Sequence, residues 1–289
     1  MRLPLATTLL FLLTIPVFAA TDVELIAAGR AAMERGDFAK ASDLFEKATT
    51  ANPKNAEAFY WLGAAAGRQA QGANIIKQAS LAKKAQSALE RAVQLNPNSF
   101  EARQALVDYY TIAPGFMGGS EEKALAQAAE LQKRDAYEGA HAYARIYMRD
   151  KKMDQARKVI VDLVRSQPNS AKAHQMLGVF FLSEKNYSGA LHELEMVLKL
   201  DANYMPAHYR LGQLAALTGQ DYARGEAGLR KYVTYKPADN EPPVAGAWYW
   251  LGMLYEKQGR KADAKQSFLN AQKLAPIDPK VKEALKRVQ

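Results

Sequence analysis

The sequence predicts an all-α fold, a stack of about seven helix hairpins closed by a C-terminal capping helix. Three observations predict it. Apolar residues recur at helical spacing from residue 22 to residue 276. Small residues, glycines and prolines punctuate them at repeating offsets. The whole pattern returns with a period of about 34 residues.

The copy near the end defines the unit: Trp248, Leu251, Gly252, Tyr255, Gly259, Ala264, Phe268, Ala271 and Pro276. Trp248, Leu251 and Tyr255 line one apolar stripe of a first helix. Gly252 lets a neighbouring helix come close, and Gly259 ends the first helix in a left-handed turn. Ala264, Phe268 and Ala271 give a second helix that packs antiparallel on the first. Pro276 stops it. One such hairpin buries only part of its apolar surface, so it needs a neighbour on each side.

The same registers run back along the chain in order. Residues 22–55 carry Leu25, Gly29, Gly36, Phe38, Ala41, Phe45, Ala48 and Pro53. Residues 56–99 carry Phe59, Leu62 and Gly63, then Ala85, Leu89, Ala92 and Pro97. The weaker unit 100–136 has Leu106 and Tyr110, then Ala124, Ala128 and Leu131. Residues 137–170 show Tyr143, Ala144, Tyr147, Ala156, Ile160, Leu163 and Pro168. Residues 171–204 show Leu177, Gly178, Phe181, Tyr187, Ala190, Leu194 and Val197. Residues 205–244 show Leu211, Gly212, Gly219, Tyr222, Gly225, Leu229 and Pro237, and residues 245–278 complete the set. Asp278-Pro279 then reads as an N-cap followed by proline at the first helical position, opening a charged cap over 279–289.

The first twenty residues are of another kind. Met1-Arg2 is a minimal positive start, Leu3 to Phe18 is nearly all apolar, and Val17-Phe18-Ala19 offers small residues where a signal peptidase reads. Residues 1–20 are therefore expected to be a cleavable signal peptide, with the mature chain periplasmic or secreted. Pro4 and Pro16 shorten the helix below the roughly 20 residues of a span, which argues against an uncleaved anchor. The chain has no cysteine, which excludes disulfides, thiol chemistry and a lipid anchor beside the signal peptide. Arg2 is the only charge in this stretch, so its removal takes the net charge from +9 to +8.

Two places break the period. Between Gly67 and Lys83 the second unit holds about ten residues too many, including Gln69 to Lys77. They could lengthen the hairpin, or Ile75-Ile76 could plug a groove or mark a docking surface. The second break, Ala113-Pro114-Gly115-Phe116-Met117-Gly118-Gly119-Ser120, excludes helix and predicts a surface loop. It lacks the Gly-Lys-Ser/Thr of a phosphate-binding loop, and Ser120 before Glu121 and Glu122 reads as a helix cap. Phe116 and Met117 are candidates for partner contact.

Catalytic chemistry is missing from the pattern. His141, His174, His192 and His208 form no ligand pair on a helix, so neither metal nor cofactor is expected. His174 and His208 share a register in adjacent units and read as stacked packing residues. No nucleophile elbow occurs, and carboxylates are scattered on helix faces. The chain does not read as an enzyme.

The spacings of the 245–278 unit resemble the tetratricopeptide repeat, and the resemblance covers roughly residues 22–276. The two breaks also resemble those in a group of exported bacterial repeat proteins of unassigned function. The family resemblance implies a single right-handed superhelical solenoid over residues 21–289. It also implies that the second, fifth, sixth and ninth places of each repeat face or flank a peptide groove. Those places hold Tyr60 and Trp61, then His141 and Arg145, Lys172 and Gln175, Tyr209, Arg210 and Gln213, and Tyr249 and Trp250. Some members clamp a terminal carboxylate with a lysine–asparagine pair and a lysine and arginine two repeats on. Lys172 and Arg210 fall in successive repeats here and the Lys/Asn pair is missing, so that clamp is not expected. What remains is a basic, hydrogen-bonding middle with aromatic ends, suited to an extended acidic or polar peptide.

The expected function is an extracytoplasmic interaction scaffold or adaptor with a protein or peptide partner. Alternatives are recognition of an anionic envelope polymer, such as a polysaccharide or lipopolysaccharide, and service as an accessory subunit of a secretion or export complex. Export argues against nucleic acid, and no stable membrane anchor is expected.

Overall fold

The computed structural model describes residues 20–238 and 240–288. The signal peptide expected over residues 1–20 lies, apart from Ala20, outside the described residues. Among the described residues there are fifteen α-helices and no strand. The chain divides into two compact units, Met1–Gln127 and Ala128–Gln289.

Unit 1 contains α1 (Asp22–Glu34), α2 (Phe38–Ala51), α3 (Ala56–Ala70), α4 (Ile75–Leu95), α5 (Phe100–Ile112), a 3-10 turn (Gly115–Met117) and the start of α6 (Glu121–Arg134). Unit 2 continues with α7 (Ala136–Arg149), α8 (Met153–Ser166), α9 (Ala171–Ser183), α10 (Tyr187–Leu200) and α11 (Met205–Thr218). It ends with α12 (Tyr222–Tyr232), α13 (Val244–Lys257), α14 (Lys261–Leu274) and α15 (Pro279–Arg287).

Local chemistry starts most helices. Thr21 and Glu24 form a reciprocal capping box at 3.3 and 2.9 Å. Asp37, Asn55, Asn74, Ser99, Asp135, Ser170, Asn186 and Asp278 each accept a first-turn amide with the side chain. These caps satisfy donors that the helix itself leaves open.

Packing within hairpins follows one rule. A small residue of the first helix meets a large apolar residue of the second. A Cβ on Gly29 would come within 2.5 Å of the Phe45 ring, on Gly63 within 2.6 Å of Leu89, on Gly212 within 2.2 Å of Leu229, and on Gly252 within 2.4 Å of Phe268. Phe45, Leu229 and Phe268 are fully buried there. Removing such a ring costs about 3–5 kcal/mol, so these contacts hold each hairpin shut.

The insertion lengthens its hairpin. α3 runs to Ala70, a short turn follows, and Asn74 caps the 21-residue α4. Ile75 and Ile76 sit on its first turn, 61% and 83% exposed, so they plug nothing. The Pro114–Ser120 loop is tightly ordered by its own backbone. Gly119 N–H donates to Pro114 O at 3.1 Å, Ser120 N–H to Tyr110 O at 2.9 Å, and the Tyr109 hydroxyl to Met117 O. A Cβ at Gly119 would lie 1.7 Å from Ala113 O. Met117 is buried, while Phe116 projects with 78% exposure. Of the two candidates in this loop, only Phe116 is available to a partner.

A polar device recurs between hairpins. Arg103, His174 and His208 occupy one register on α5, α9 and α11. Each reaches the carbonyl six residues upstream: Arg103 Nε to Pro97 O at 2.9 Å, His174 Nε2 to Pro168 O at 2.9 Å, and His208 Nε2 to Ala202 O at 3.0 Å. The loop that follows one hairpin is thereby tied to the helix that opens the next. His174 also places Nδ1 2.6 Å from Glu193 Oε2 on α10, so both its ring nitrogens are engaged.

Candidate functional site

Within unit 2 the first helices of the hairpins lie side by side, α7 against α9, α9 against α11 and α11 against α13. This row carries nine of the expected binding residues; Tyr60 and Trp61 lie on α3 in unit 1.

On α7, His141 stacks on Tyr137 at 6.2 Å with the rings 10° apart. Burial, and then the Arg145 guanidinium, hold its pKa below the ordinary histidine value. On α9, Lys172 is exposed and its Nζ lies 6.0 Å from the Tyr137 ring centroid. Gln175 is partly buried, and its buried Oε1 has no hydrogen-bond partner among the described residues.

Arg210 on α11 is the unusual group. Its Nη1 donates to Gln213 Oε1 at 2.8 Å, and its guanidinium carbon lies 5.3 Å from the Tyr209 ring centroid. No carboxylate pairs with it among the described residues, and its buried Nε has no hydrogen-bond partner. Burial lowers its pKa from the ordinary arginine value. A partly buried cation without a counter-ion carries an unrecovered desolvation cost. An arriving anion recovers it, and a guanidinium takes a carboxylate with two parallel bonds.

Tyr209 departs from its expected role as a contact residue. It is only 5% exposed, packed edge-on against Tyr232 at 5.1 Å. Gly246 on α13 makes room for it, since a Cβ there would lie 2.6 Å from the Tyr209 hydroxyl. That hydroxyl accepts from Trp250 Nε1 at 3.1 Å, so Tyr209 orients Trp250 from below. Tyr249 meets Trp250 edge-to-face at 5.2 Å and also leans on Phe268 at 5.9 Å.

The unit 2 row is thus cationic and aromatic. Arg145, Lys172 and Arg210 stand at its groove places, against one acid, Glu138 on α7. The groove places of α3 and α5 in unit 1 are of opposite sign, with Glu57 and Glu101 at the second places. Neither was in the expected set, nor was Tyr137; counting the same register through every repeat reaches both acids. Among the described residues no three His, Asp or Glu side chains gather to hold a metal.

Similarity to known proteins lies at the level of fold and family. A family model for the TPR repeat matches residues 29–69, and models for the tetratricopeptide repeat match residues 142–204 and 245–278. No curated protein matches the chain in sequence. Among solved structures, a tetratricopeptide repeat protein from Parabacteroides merdae is similar at 19% identity, over 92% of this chain and 98% of that one, with a TM-score of 0.58. The human IFIT1 dimer with m7Gppp-AAAA is similar at 18% identity and a TM-score of 0.57, over 92% of this chain but 61% of that one.

Proposed function

Given that the chain belongs to the tetratricopeptide-repeat family, we propose that it is an exported interaction scaffold whose second unit takes an extended acidic peptide segment. The segment lies across α7, α9, α11 and α13, with one carboxylate on Arg210. Trp250 and Tyr249 supply apolar contact at one end, and His141 with Tyr137 at the other. Lys172 and Gln175 contribute donors between them. The signal-like residues 1–20 support an extracytoplasmic location.

The observation that carries this reading is the Arg210 guanidinium, partly buried and, among the described residues, without an acid partner. A charge-assisted hydrogen bond contributes about 1.5–3 kcal/mol, which is roughly a 10- to 150-fold change in affinity.

The test is fluorescence anisotropy with a labelled nine-residue peptide of alternating glutamate and glycine. Arg210→Gln keeps a polar side chain, shortens it and removes the charge, and should weaken binding about 10-fold or more. Equal affinity in wild type and variant would show that Arg210 is not the anchor. The human IFIT1 structure carries m7Gppp-AAAA, so an oligoadenylate is the nucleic-acid probe. A polygalacturonate probe represents anionic polymers. Binding that collapses with salt and ignores Arg210→Gln would put the polymer reading first.

A further inference from the structure

The first unit holds a second place where a ligand could sit, and its chemistry is the reverse of the Arg210 face. A cleft of about 340 Å³ opens between α3 and α5, lined in part by Glu57, Tyr60, Trp61, Asn96, Ser99 and Glu101. Its size is at the lower end of small-ligand sites, enough for one long side chain. We propose that this cleft binds an organic cation, the ammonium or guanidinium end of a lysine or arginine side chain on a partner peptide.

The aromatic wall is fixed in place. Tyr60 and Trp61 meet edge-to-face at 5.0 Å, and Trp61 stacks on the buried Phe45 at 5.9 Å. Trp61 already holds one cation from this chain, the Arg30 guanidinium carbon 5.2 Å from its ring centroid. An indole face attracts cations through its quadrupole, and Tyr60 sets a second ring beside it.

Two carboxylates complete the site. Glu57 Oε1 accepts from Trp61 Nε1 at 3.2 Å, and Glu101 Oε2 accepts from the Ser99 hydroxyl at 3.1 Å. These neutral donors orient the carboxylates without cancelling their charge. No basic side chain pairs with either among the described residues. Both acids sit in first helical turns, where an acid commonly serves the helix dipole. Magnitudes decide between the two roles. Two helix N-termini supply roughly +0.5 each, about +1 together, against two full negative charges. Arg30 on the Trp61 ring adds a further positive charge, yet at Tyr60 the acids outweigh it. Burial pushes the Tyr60 phenol pKa up, Glu101 and Asp108 push it further, and Arg30 only partly opposes them.

The two faces would therefore select ligand segments of opposite sign, and this site does not rest on the Arg210 reading. The probe is a labelled nine-residue peptide of alternating lysine and glycine, titrated into the full chain by fluorescence anisotropy. Glu57→Gln with Glu101→Gln keeps side-chain volume at two exposed positions and should weaken lysine-peptide binding about 10-fold or more. In the wild-type chain, the Trp61 indole N–H resonance should move on titration with this peptide. Undiminished binding by the double variant would overturn the proposal, as would a wild-type chain that ignores the peptide or binds it without moving that resonance. The glutamate peptide reports on the Arg210 face alone, so the two proposals fail separately.

Discussion

Five hairpin turns share one backbone conformation, and two of them hold the wrong residue for it. Seven positions after the small residue of the first helix, Gly36, Gly219 and Gly259 have φ of 76°, 76° and 74°. At the same register Lys151 and Lys185 have φ of 60° and 59°. A left-handed conformation costs an L-residue with a Cβ roughly 1–2 kcal/mol. Glycine escapes that cost but gives up about 0.5–1 kcal/mol through its freer unfolded chain. The difference favours glycine by about 0.5–1 kcal/mol per site. Both lysines are exposed and neither makes an ion pair among the described residues, so little contact is lost with the side chain. The turn bonds, Lys151 N–H to Met148 O at 3.2 Å and Lys185 N–H to Leu182 O at 3.1 Å, belong to the backbone and survive. Lys151→Gly with Lys185→Gly should therefore stabilise unit 2 by about 1–2 kcal/mol, since exposed sites in separate turns add. In a domain of this size that raises Tm by roughly 2–8 °C. Urea unfolding followed by circular dichroism measures it, with the m-value checked because repeat arrays can lose two-state behaviour. Gly259→Ala is the reverse control, in a position with open space around it, and should cost about 1 kcal/mol. A double variant that melts at or below wild type refutes the strain argument.

Four further changes probe other parts of the fold. Gly252→Ala drives a methyl toward the fully buried Phe268 ring, whose Cε1 would be 2.4 Å away, and should cost about 1–3 kcal/mol in a thermal melt. Gly119→Ala meets the Ala113 carbonyl and should expose the Pro114–Ser120 loop to limited proteolysis, whereas Phe116→Ser, at a projecting ring, should shift stability by no more than about 0.5 kcal/mol. Glu226 accepts from Arg230 at 2.8 Å, the Tyr255 hydroxyl at 2.8 Å and Arg260 at 2.9 Å. Burial raises its pKa, but these three donors outweigh it and the net shift is downward. A depressed carboxylate stabilises above its unfolded pKa of about 4.3 and stops doing so as pH falls through the folded value. The gap in melting temperature between wild type and Glu226→Gln should accordingly be constant near neutrality and close below about pH 4; a gap that widens in acid would contradict the network.

The hairpins were legible because their determinants are local. Gly259 and Pro276 act within a few residues of themselves, and Gly252 meets Phe268 sixteen positions on, inside one repeat. What the pattern could not convey depends on longer reach. The register that joins His174 to His208 says nothing about the carbonyls of Pro168 and Ala202 on which their rings end. The insertion was visible as excess length, yet only the cap at Asn74 shows that it extends α4 and leaves Ile75 and Ile76 in solvent. Tyr209 held a groove place by counting, and its burial was decided 37 positions away, where Gly246 leaves the space its ring enters.

The candidate binding residues are hardest to read for a related reason. In a solenoid, each repeat must keep the small residue, the apolar stripe and the turn, and these constraints fall on the faces between helices. The outer places of the first helices escape them, so their side chains vary without disturbing the period that makes the fold recognisable. On the proposed reading, a ligand leaves its mark there as local cost or local excess charge. Arg210 shows the first, a guanidinium that folding has partly buried with no acid beside it among the described residues. Glu57 and Glu101 show the second, carrying more negative charge than two helix ends can absorb. Neither mark belongs to the repeat pattern, and stability alone would have favoured a neutral residue at Arg210. The positions where the chain departs from what its own fold requires are thus the ones on which both binding proposals rest.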